Sequence, residues 1–291
     1  MANGIVIIDK PQDWTSQDVT ARLRRVFGTR RIGHGGTLDP MATGVLPVFV
    51  GRATRAVEFF EHAEKTYETT LRLGLTTDTE DVTGNVLSQN SVSVTREDLL
   101  AVLPRFRGKI DQVPPMYSAI KIGGQKLYQL ARAGKEVERP SREVEIFELE
   151  LTAFDGRDAV LRVRCSKGTY IRTLCKDIGA ALGCGGCMAS LRRVAAGAYT
   201  IAEAVPLEEL LRRSEAGEPV DHYLRPVDSL FSSRPALTLS PKQALRCRNG
   251  NPFSVNHPQG EYRLYGPDGD FLALARCEQG QMITIKSFFE V

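Results

Sequence analysis

One carboxylate, Asp39, stands in a glycine-rich stretch of the sequence, GHGGTLDPMATGVLPV over residues 33–48. The glycines that precede it can take positive φ or let a second backbone come close. Pro40 restricts Asp39 to an extended conformation. The combination predicts a stiff turn that displays a group able to act as a nucleophile or as a general acid or base. Taken alone, an Asp-Pro pair beside glycines is also typical of an ordinary turn.

Other patterns that could carry chemistry are weaker. The glycine-rich stretch lacks the spacing of a phosphate-binding or dinucleotide-binding loop. Cys184 and Cys187 form a CGGC pair, which suggests half of a zinc site or a redox pair, but no second C-x-x-C follows. The sequence contains neither an H-E-x-x-H nor a G-x-S-x-G motif, which argues against zinc-protease and α/β-hydrolase chemistry. Glycosidase chemistry with paired carboxylates needs a second acid that the sequence does not identify.

A basic segment between Tyr117 and Arg142 suggests contact with a polyanion. It holds six basic residues and two acids, interleaved with Tyr117 and Tyr128. A phosphate backbone would suit this composition, and so would a solvated surface. The net charge of the whole chain, +3, is too small to indicate a nucleic-acid partner by itself.

Length and composition bound the class of protein. The 291 residues fit one large domain and a smaller one. Six scattered cysteines without a signal peptide predict thiols in a reducing compartment. No apolar run is long enough to span a bilayer. We therefore expect a soluble, cytoplasmic protein with no membrane partner.

Periodicity predicts the elements that must position these residues. GIVIID is typical of a buried strand, and TSQDVTARLRRVF of a helix with Thr15 and Asp18 as a capping box. A helix is predicted over ATRAVEFFEHAE, an alternating strand over KTYETTLRLG, and a helix over TYIRTLCKDIGAALG with Thr169 as its N-cap. REVEIFELELTAFDG and DAVLRVRCSKG pair naturally as antiparallel strands.

These elements indicate an α+β fold with two domains. We expect residues 1–231 to form the larger domain, on a mixed, mostly antiparallel sheet flanked by helices. Residues 114–142, which are bounded by prolines, look like an excursion from it. Residues 232–291 change to short strands and glycine turns, which predicts a small C-terminal β module.

Six motifs in the chain together resemble those of a known family. They are DKPQDWTS, RIGHGGTLDPMATGVLPV, KTYETTLRLG, TDTEDVTG, PPMYSAIKIGGQKLYQLARAG and CSKGTYIRTL, in this order. The family is that of the bacterial TruB tRNA pseudouridine synthases, and the likeness covers residues 4–200. It implies a pseudouridine synthase fold with a PUA-like C-terminal module. It also implies a monomer that isomerises the uridine at position 55, in the T-loop of tRNA, without a cofactor.

The resemblance implies roles for single residues. Asp39 matches the family's catalytic aspartate, and Arg172 matches the arginine that pairs with it and keeps it ionised. Tyr67 matches a tyrosine that stacks on the target uracil, and is otherwise a core tyrosine. His34 matches a histidine that inserts near the place of the flipped-out base, and is otherwise a packed loop histidine. Leu191 matches an apolar residue that lines the pocket.

RNA-binding residues are implied in the same way. Lys10, in DKP, would support the site or contact phosphate. The excursion at 114–142 matches a segment that closes over the T-arm, with Lys121, Lys126 and Arg132 as phosphate contacts.

Two positions depart from the family pattern, and two other functions stay open. Gly35 stands where the family commonly has Thr, and we expect it to loosen the loop beside His34. Asp13 stands where the family commonly has Gly, and Asp tolerates left-handed backbone angles. The alternatives are a guide-RNA-dependent synthase of the related archaeal and eukaryotic group, which usually has a longer C-terminal domain, and a protein that binds tRNA to help it fold.

Overall fold

The computed structural model describes residues 2–289. The strands are β1 (Gly4–Lys10), β2 (Ile32–His34), β3 (Thr43–Val50), β4 (Lys65–Leu73), β5 (Leu75–Thr77), β6 (Val86–Gln89), β7 (Gly108–Gln112), β8 (Lys121–Ile122), β9 (Gln125–Lys126), β10 (Arg142–Phe154), β11 (Asp158–Cys165), β12 (Gly186–Ala196), β13 (Tyr199–Thr200), β14 (Val205–Pro206), β15 (Ala236–Thr238), β16 (Phe253–Ser254), β17 (Gly260–Tyr265), β18 (Phe271–Glu278) and β19 (Gln281–Ser287). The helices are α1 (Ser16–Val26), α2 (Val57–Phe60), α3 (Arg96–Val102), α4 (Leu127–Arg132), α5 (Ile171–Ala181), α6 (Leu207–Glu215) and α7 (Pro241–Arg248).

The main sheet carries the glycine-rich stretch and most of the other motifs. Its strand order is β14-β1-β3-β12-β4-β11-β10-β7, with β2 paired to β3 and β13 paired to β12. The pairs β1–β14 and β3–β12 are parallel, and the other pairs are antiparallel. The expected α+β fold on a mixed, mostly antiparallel sheet is confirmed.

Strand β1 shows that the main sheet is covered on both faces. Val6 and Ile8 belong to the apolar cluster that contains residues of α1 and α5. Ile5 and Ile7 belong to a second cluster, which includes Leu274 of β18. Alternate residues of a strand point to opposite faces, so a strand buried on both faces is apolar throughout. The run GIVII follows from this packing, and the second cluster attaches the C-terminal module to the sheet.

The C-terminal module is a five-stranded sheet with the order β15-β17-β18-β19-β16. Helix α7 contributes Ala244 and Cys247 to its core, which is separate from the two clusters of the main sheet. The sheet begins at Ala236, and the domain boundary placed at residues 231 and 232 stays a prediction. Between residues 2 and 289, no helix has the length and apolarity to cross a membrane.

Two local predictions are confirmed and one is wrong in extent. Thr15 and Asp18 form the expected capping box of α1, and β10 pairs antiparallel with β11. The helix predicted over ATRAVEFFEHAE is only the four-residue α2, preceded by a 3₁₀ turn over Gly51–Ala56. The Thr54 hydroxyl donates to the Gly51 carbonyl at 2.8 Å. This bond competes with the helical bond to the same carbonyl, which favours the tighter turn.

The N-cap expected at Thr169 is also wrong. Helix α5 begins at Ile171, with Tyr170 in the capping position. The Thr169 hydroxyl donates instead to the Ser166 carbonyl at 3.0 Å. The Gln112 side chain of β7 receives a hydrogen bond from the Tyr170 amide at 3.0 Å, so a residue distant in sequence holds the entry to the helix. Arg172 lies in the first turn of α5, as expected.

Candidate active site

Asp39 lies in the loop between β2 and β3, residues 35–42, which we call the Asp39 loop. Buried Ser16, at the start of α1, holds this loop with two hydrogen bonds. Its hydroxyl accepts from the Leu38 amide at 2.9 Å and donates to the Leu38 carbonyl at 3.2 Å. Beyond the loop, Gly44 has a φ of +101°, and a Cβ there would overlap the Arg193 carbonyl oxygen. Glycine at this position therefore lets β3 approach β12 closely.

Lys10 and Asp13 hold the other side of the loop through the Pro40 carbonyl. The Asp13 amide donates to that carbonyl at 2.8 Å. Asp13 has the left-handed backbone that was expected there, with a φ of 65°. The Lys10 ammonium donates to the carbonyls of Pro40 at 3.1 Å, Trp14 at 2.6 Å and Pro11 at 2.9 Å. The segment 10–14 is thereby tied to the residue after Asp39.

The burial of Lys10 decides between the two roles implied for it. Lys10 is fully buried, and its three donors are already used by carbonyls. The role of phosphate contact is therefore wrong for this arrangement, because the ammonium is out of reach of an RNA backbone. Burial lowers the pKa of Lys10 to about 8, although the charge of Asp39 partly opposes this shift. Lys10 supports the site from within the protein.

Asp39 and Arg172 form an ion pair, as the family resemblance implied. The Arg172 Nε lies 3.0 Å from an Asp39 carboxylate oxygen. The Asp39 side chain is 36% exposed whereas the Arg172 side chain is 6% exposed. The carboxylate is therefore held on one side by a buried cation and is open on the other, where a substrate can reach it.

The remaining donors of Arg172 fix its guanidinium group. Nη1 donates to the Thr79 carbonyl at 3.1 Å, and Nη2 donates to the Tyr117 carbonyl at 3.0 Å. A second carboxylate, that of buried Asp81, lies 3.7 Å from Nη1. The Asp81 carboxylate in turn accepts hydrogen bonds from the side chains of Thr79 and Thr83. Arg172 thus joins the Asp39 loop, the acidic loop TDTEDVTG and the start of the basic excursion.

Tyr67 and Leu191 belong to the main apolar cluster, together with Leu38 of the Asp39 loop. Tyr67, on β4, is 9% exposed and Leu191, on β12, is 8% exposed. Burial raises the pKa of Tyr67, and the nearby Arg193 guanidinium partly offsets the rise. The phenol is therefore neutral at physiological pH, and it presents an apolar ring with one hydroxyl.

His34 ends β2, directly before the Asp39 loop. Its Nε2 lies 3.2 Å from the side-chain nitrogen of Gln17 on α1. Its Nδ1 is buried without a hydrogen-bond partner in the described part of the chain. Burial lowers the pKa of His34, and the charge of Arg193 lowers it further, so the imidazole is neutral at pH 7.

The expectation that Gly35 loosens the loop is wrong. Gly35 is buried, and its amide donates to the Pro47 carbonyl at 2.8 Å. A Cβ at this position would lie 2.5 Å from Cδ1 of Phe60 and 3.0 Å from Cε2 of Phe49. Aromatic rings occupy the space that a larger side chain would fill, so the backbone at this point is tightly packed.

The sequence interpretation missed Arg193. It is 1% exposed, on β12, directly opposite Tyr67 of β4. Its guanidinium donates to the carbonyls of Val45 at 2.7 Å, Gly36 at 3.1 Å and Thr37 at 3.4 Å. The family resemblance gave a role only to Leu191 in the SLRRV stretch, although two adjacent arginines in a strand already required that one of them point inward.

The excursion at residues 114–142, which we call the clamp segment, contains the β8–β9 hairpin and α4. Lys126 and Arg132 lie 5.6 Å and 5.5 Å from the ring centroid of Tyr128. Lys121 and Arg132 are exposed, and Lys126 is half-buried. Arg139 donates to the Pro114 carbonyl at 3.2 Å and so ties the two ends of the segment together. The clamp segment therefore carries cations on its surface, and the Tyr117 carbonyl connects the segment to Arg172.

The six cysteines are free thiols, as predicted. Cys184 and Cys187 are both buried. In the part of the chain from 2 to 289, no group of three or more His, Cys, Asp or Glu side chains is placed to hold a metal ion.

Comparison with known proteins identifies the family. Residues 24–171 match the model of the N-terminal domain of the TruB family pseudouridylate synthases, and residues 172–232 match the C-terminal domain of tRNA pseudouridylate synthase B. The chain belongs to the TruB family of pseudouridine synthases. It is therefore an isomerase, and the resemblance seen in its motifs is confirmed. The second match starts in α5 and includes β12, so the two family domains share the main sheet.

Relatives in the TruB family match along nearly the whole chain. A protein named tRNA pseudouridine synthase B from Azoarcus sp. (strain BH72) is 47% identical, over 97% of this chain and 93% of its own length. A protein of the same name from Pseudomonas fluorescens (strain Pf0-1) is 46% identical, over 95% of this chain and 92% of its own.

Solved structures agree with the TruB fold. One is a chain of an H/ACA RNP bound to a substrate RNA that contains 2'-deoxyuridine, with a TM-score of 0.74 and 23% identity over 99% of this chain and 86% of that one. Another is a chain of an archaeal box H/ACA sRNP complex, with a TM-score of 0.71 and 25% identity over 99% of this chain and 86% of that one.

Proposed function

We propose that this enzyme converts the uridine at position 55, in the T-loop of tRNA, to pseudouridine. Membership of the TruB family supports pseudouridine formation, and the names of the relatives support tRNA as the substrate. The observation that carries the finer proposal is the ion pair of Asp39 with Arg172, 3.0 Å apart, in the loop whose motif resembles the family's catalytic one.

Asp39 acts at the sugar of the target nucleotide in this proposal, either as a nucleophile or as an acid or base. The glycosidic bond between ribose C1′ and uracil N1 breaks, and a bond forms between C1′ and carbon 5 of the base. The proton of carbon 5 is lost and N1 gains one, so no oxidant or cofactor is required. Arg172 orients the carboxylate from its buried side, and the exposed side meets the sugar.

The target base must leave its stack to reach Asp39. The neutral, largely buried ring of Tyr67 provides a face on which a flipped uracil can stack, and Leu191 adds an apolar contact beside it. The neutral imidazole of His34, with an unpartnered Nδ1, is suited to stack in the vacated place and to form one hydrogen bond with RNA.

The clamp segment supplies cations for the backbone of the T-arm. Within the described residues, Lys121, Lys126 and Arg132 form no ion pair with a carboxylate, so their charges are available to phosphate. The Tyr117 carbonyl bonds the segment to Arg172, so RNA held by the clamp segment lies beside the Asp39 loop.

Tritium release tests this proposal. An unmodified tRNA transcript carries uridine labelled with tritium at carbon 5, and a second transcript has cytidine at position 55. We expect the wild-type enzyme to release tritium from the first transcript and not from the second. Asp39→Asn should bind the first transcript and release nothing. Full release by Asp39→Asn would overturn the catalytic assignment, and release from the second transcript would overturn the choice of position 55.

Two alternatives predict other outcomes. A guide-RNA-dependent synthase would release tritium only when a guide RNA is added, but the relatives named tRNA pseudouridine synthase B are about twice as similar in sequence as the H/ACA chains. A protein that only helps tRNA to fold would bind the transcript without any release. The Asp39–Arg172 pair favours a catalytic role over a purely binding one.

A further inference from the structure

A second basic surface lies on α1 and on the turn that follows it. Residues 22–31 contain five arginines and no acid. We call them the α1 arginine surface: Arg22, Arg24, Arg25, Arg30 and Arg31. All five are exposed. This density of positive charge exceeds that of the clamp segment, where two acids accompany six basic residues.

Among the described residues, the arginines of the α1 arginine surface form no ion pair. Between residues 2 and 289, none of its members lies within 4.0 Å of a carboxylate oxygen. Some arginines elsewhere are paired, since Arg162 contacts Glu68 and Arg212 contacts Glu209. Other single arginines are exposed and unpaired, but only this surface gathers five of them within ten residues. An ordinary solvated helix face mixes charges of both signs. Asp13 and Asp18 lie beside Arg22 and Arg25, but none of the five guanidinium groups is paired within the described chain, so they are free to match a dense array of phosphates.

Contacts connect this surface and the clamp segment to the site through different residues. Helix α1 starts at the loop, where Ser16 bonds Leu38 and Gln17 contacts His34. Its eleven residues then run about 16 Å away, at about 1.5 Å per residue. The clamp segment meets the site from Arg172, through Tyr117. The Asp39 loop is therefore connected to two basic regions, to α1 through Ser16 and to the clamp segment through Arg172.

We propose that the α1 arginine surface binds the phosphate backbone of the base-paired stem next to the target loop. This proposal rests on the proposed function, because it concerns the same RNA substrate. Arg22 lies six residues beyond Ser16, about 9 Å along the helix axis, so these arginines lie away from the Asp39 loop and suit the stem better than the flipped base. The surface holds the RNA by charge, and it contributes affinity and not chemistry.

The test is the binding of an unmodified tRNA transcript over a series of salt concentrations. The variant Arg22→Gln/Arg24→Gln/Arg25→Gln keeps good helix formers on α1. We expect its Kd to rise at least tenfold, and the slope of log K against log salt to become shallower by about 2 to 3, at about 0.9 for each phosphate that the protein no longer neutralises. The variant Arg30→Gln/Arg31→Gln, which leaves α1 unchanged, should show a smaller loss in the same direction.

The matched control removes two arginines that are paired on the protein. Arg212→Gln/Arg213→Gln should leave Kd and slope unchanged. In both variants of the α1 arginine surface, pseudouridine formation at saturating tRNA should match the wild type, because these arginines contribute affinity and not chemistry. If the salt slope is unchanged in both variants, this inference is overturned and the proposed function stands. If the wild-type enzyme does not bind tRNA, the inference and the proposed function are both overturned.

Arg193 carries a second, independent inference, because it is a buried cation without a counter-ion among the described residues. Within the described residues, no carboxylate lies within 4.0 Å of its guanidinium, and its partners are the carbonyls of Gly36, Thr37 and Val45. A buried charge without a counter-ion is unfavourable for stability. Two of these carbonyls lie just before Asp39 in the Asp39 loop, and Arg193 faces Tyr67 across the β4–β12 pair.

We infer that Arg193 is a positioning residue, which fixes Asp39 relative to Tyr67 by bonding the loop from within the sheet. A Lys can donate to some of these carbonyls but lacks the planar fork of donors. The inference predicts that Arg193 affects turnover more than tRNA binding.

The test compares Arg193→Lys and Arg193→Met by kcat, KM and tRNA Kd. We expect kcat to fall at least tenfold in Arg193→Lys and further in Arg193→Met, while Kd stays within about twofold of the wild type. Circular dichroism must show that the variant is folded, and Arg193→Lys carries the test if Arg193→Met does not fold. A folded Arg193→Lys with wild-type kcat, or with a changed Kd alone, would refute the inference.

Discussion

Gly35→Ala tests how tightly the Asp39 loop is packed. The added Cβ would lie 2.5 Å from Cδ1 and 2.9 Å from Cε1 of Phe60, and 3.0 Å from Cε2 of Phe49. Carbon atoms in good contact are about 3.5–4.0 Å apart, so the Phe60 ring would have to move by about 1 Å. Phe60 is 1% exposed and has little room to do so. Overpacking of this kind typically costs about 1–3 kcal/mol.

A second effect of the same change has the opposite sign. The φ of Gly35 lies outside the left-handed region, so alanine can adopt this backbone. Replacing glycine at such a position stabilises a protein by about 0.4–1 kcal/mol, because the unfolded chain loses freedom. The net expectation for Gly35→Ala is therefore a loss of about 0.5–2 kcal/mol in the free energy of unfolding.

Urea denaturation measures this loss, and Gly33, two residues earlier in β2, offers a matched control. A Cβ on Gly33 would meet only Cγ2 of Val57, at 3.8 Å, an ordinary contact. Gly33→Ala should therefore be neutral or slightly stabilising. Phe60→Leu shortens the obstructing side chain, so Gly35→Ala should cost less in the Phe60→Leu background than in the wild type. Equal stabilities of Gly35→Ala and Gly33→Ala, or no recovery in the double variant, would refute the packing argument.

Three further predictions follow from charged residues near the site. The pKa of Lys10 is about 8 in the folded protein, below its ordinary value of 10.5. Between these pH values the unfolded chain binds the proton and the folded chain does not, so the wild type should gain stability with rising pH relative to Lys10→Met, as measured by denaturation at pH 7 to 10. Lys126→Gln/Arg132→Gln should weaken tRNA binding and make its salt dependence shallower by about 1 to 2, and an unchanged salt slope would mean that the clamp segment does not contact phosphate. Glu80→Gln should lower the free energy of unfolding by about 1–3 kcal/mol, because the neutral amide accepts more weakly from the Lys176 ammonium and the Thr173 hydroxyl than the carboxylate does. A calorimetric unfolding curve like that of the wild type would contradict this.

Elements governed by local patterns could be predicted from the sequence. The capping box of Thr15 and Asp18 needs only neighbours three residues apart. The alternation that buries Tyr67 on β4 needs only the two-residue period of a strand. The motifs also indicated Asp39 and Arg172, and the ion pair between them is present. The extent of α2 could not be predicted, because the Thr54 hydroxyl bonds the Gly51 carbonyl and favours a 3₁₀ turn where the pattern indicated α-helix.

What only the tertiary structure decided is which polar groups are buried and against what. Lys10 ends a strand in the manner of a solvated lysine, yet three carbonyls from two segments, Pro11 and Trp14 in one and Pro40 in the other, enclose it. Gly35 suggested a loose loop until Phe60, twenty-five residues later, was found in the space beside it. Arg193 reaches the Asp39 loop only because β12 lies beside β3 and β4. The sequence alone determined the loop and its carboxylate through local periodicity and motif, whereas the partners that hold them depend on strand pairings between distant segments, which no local pattern encodes.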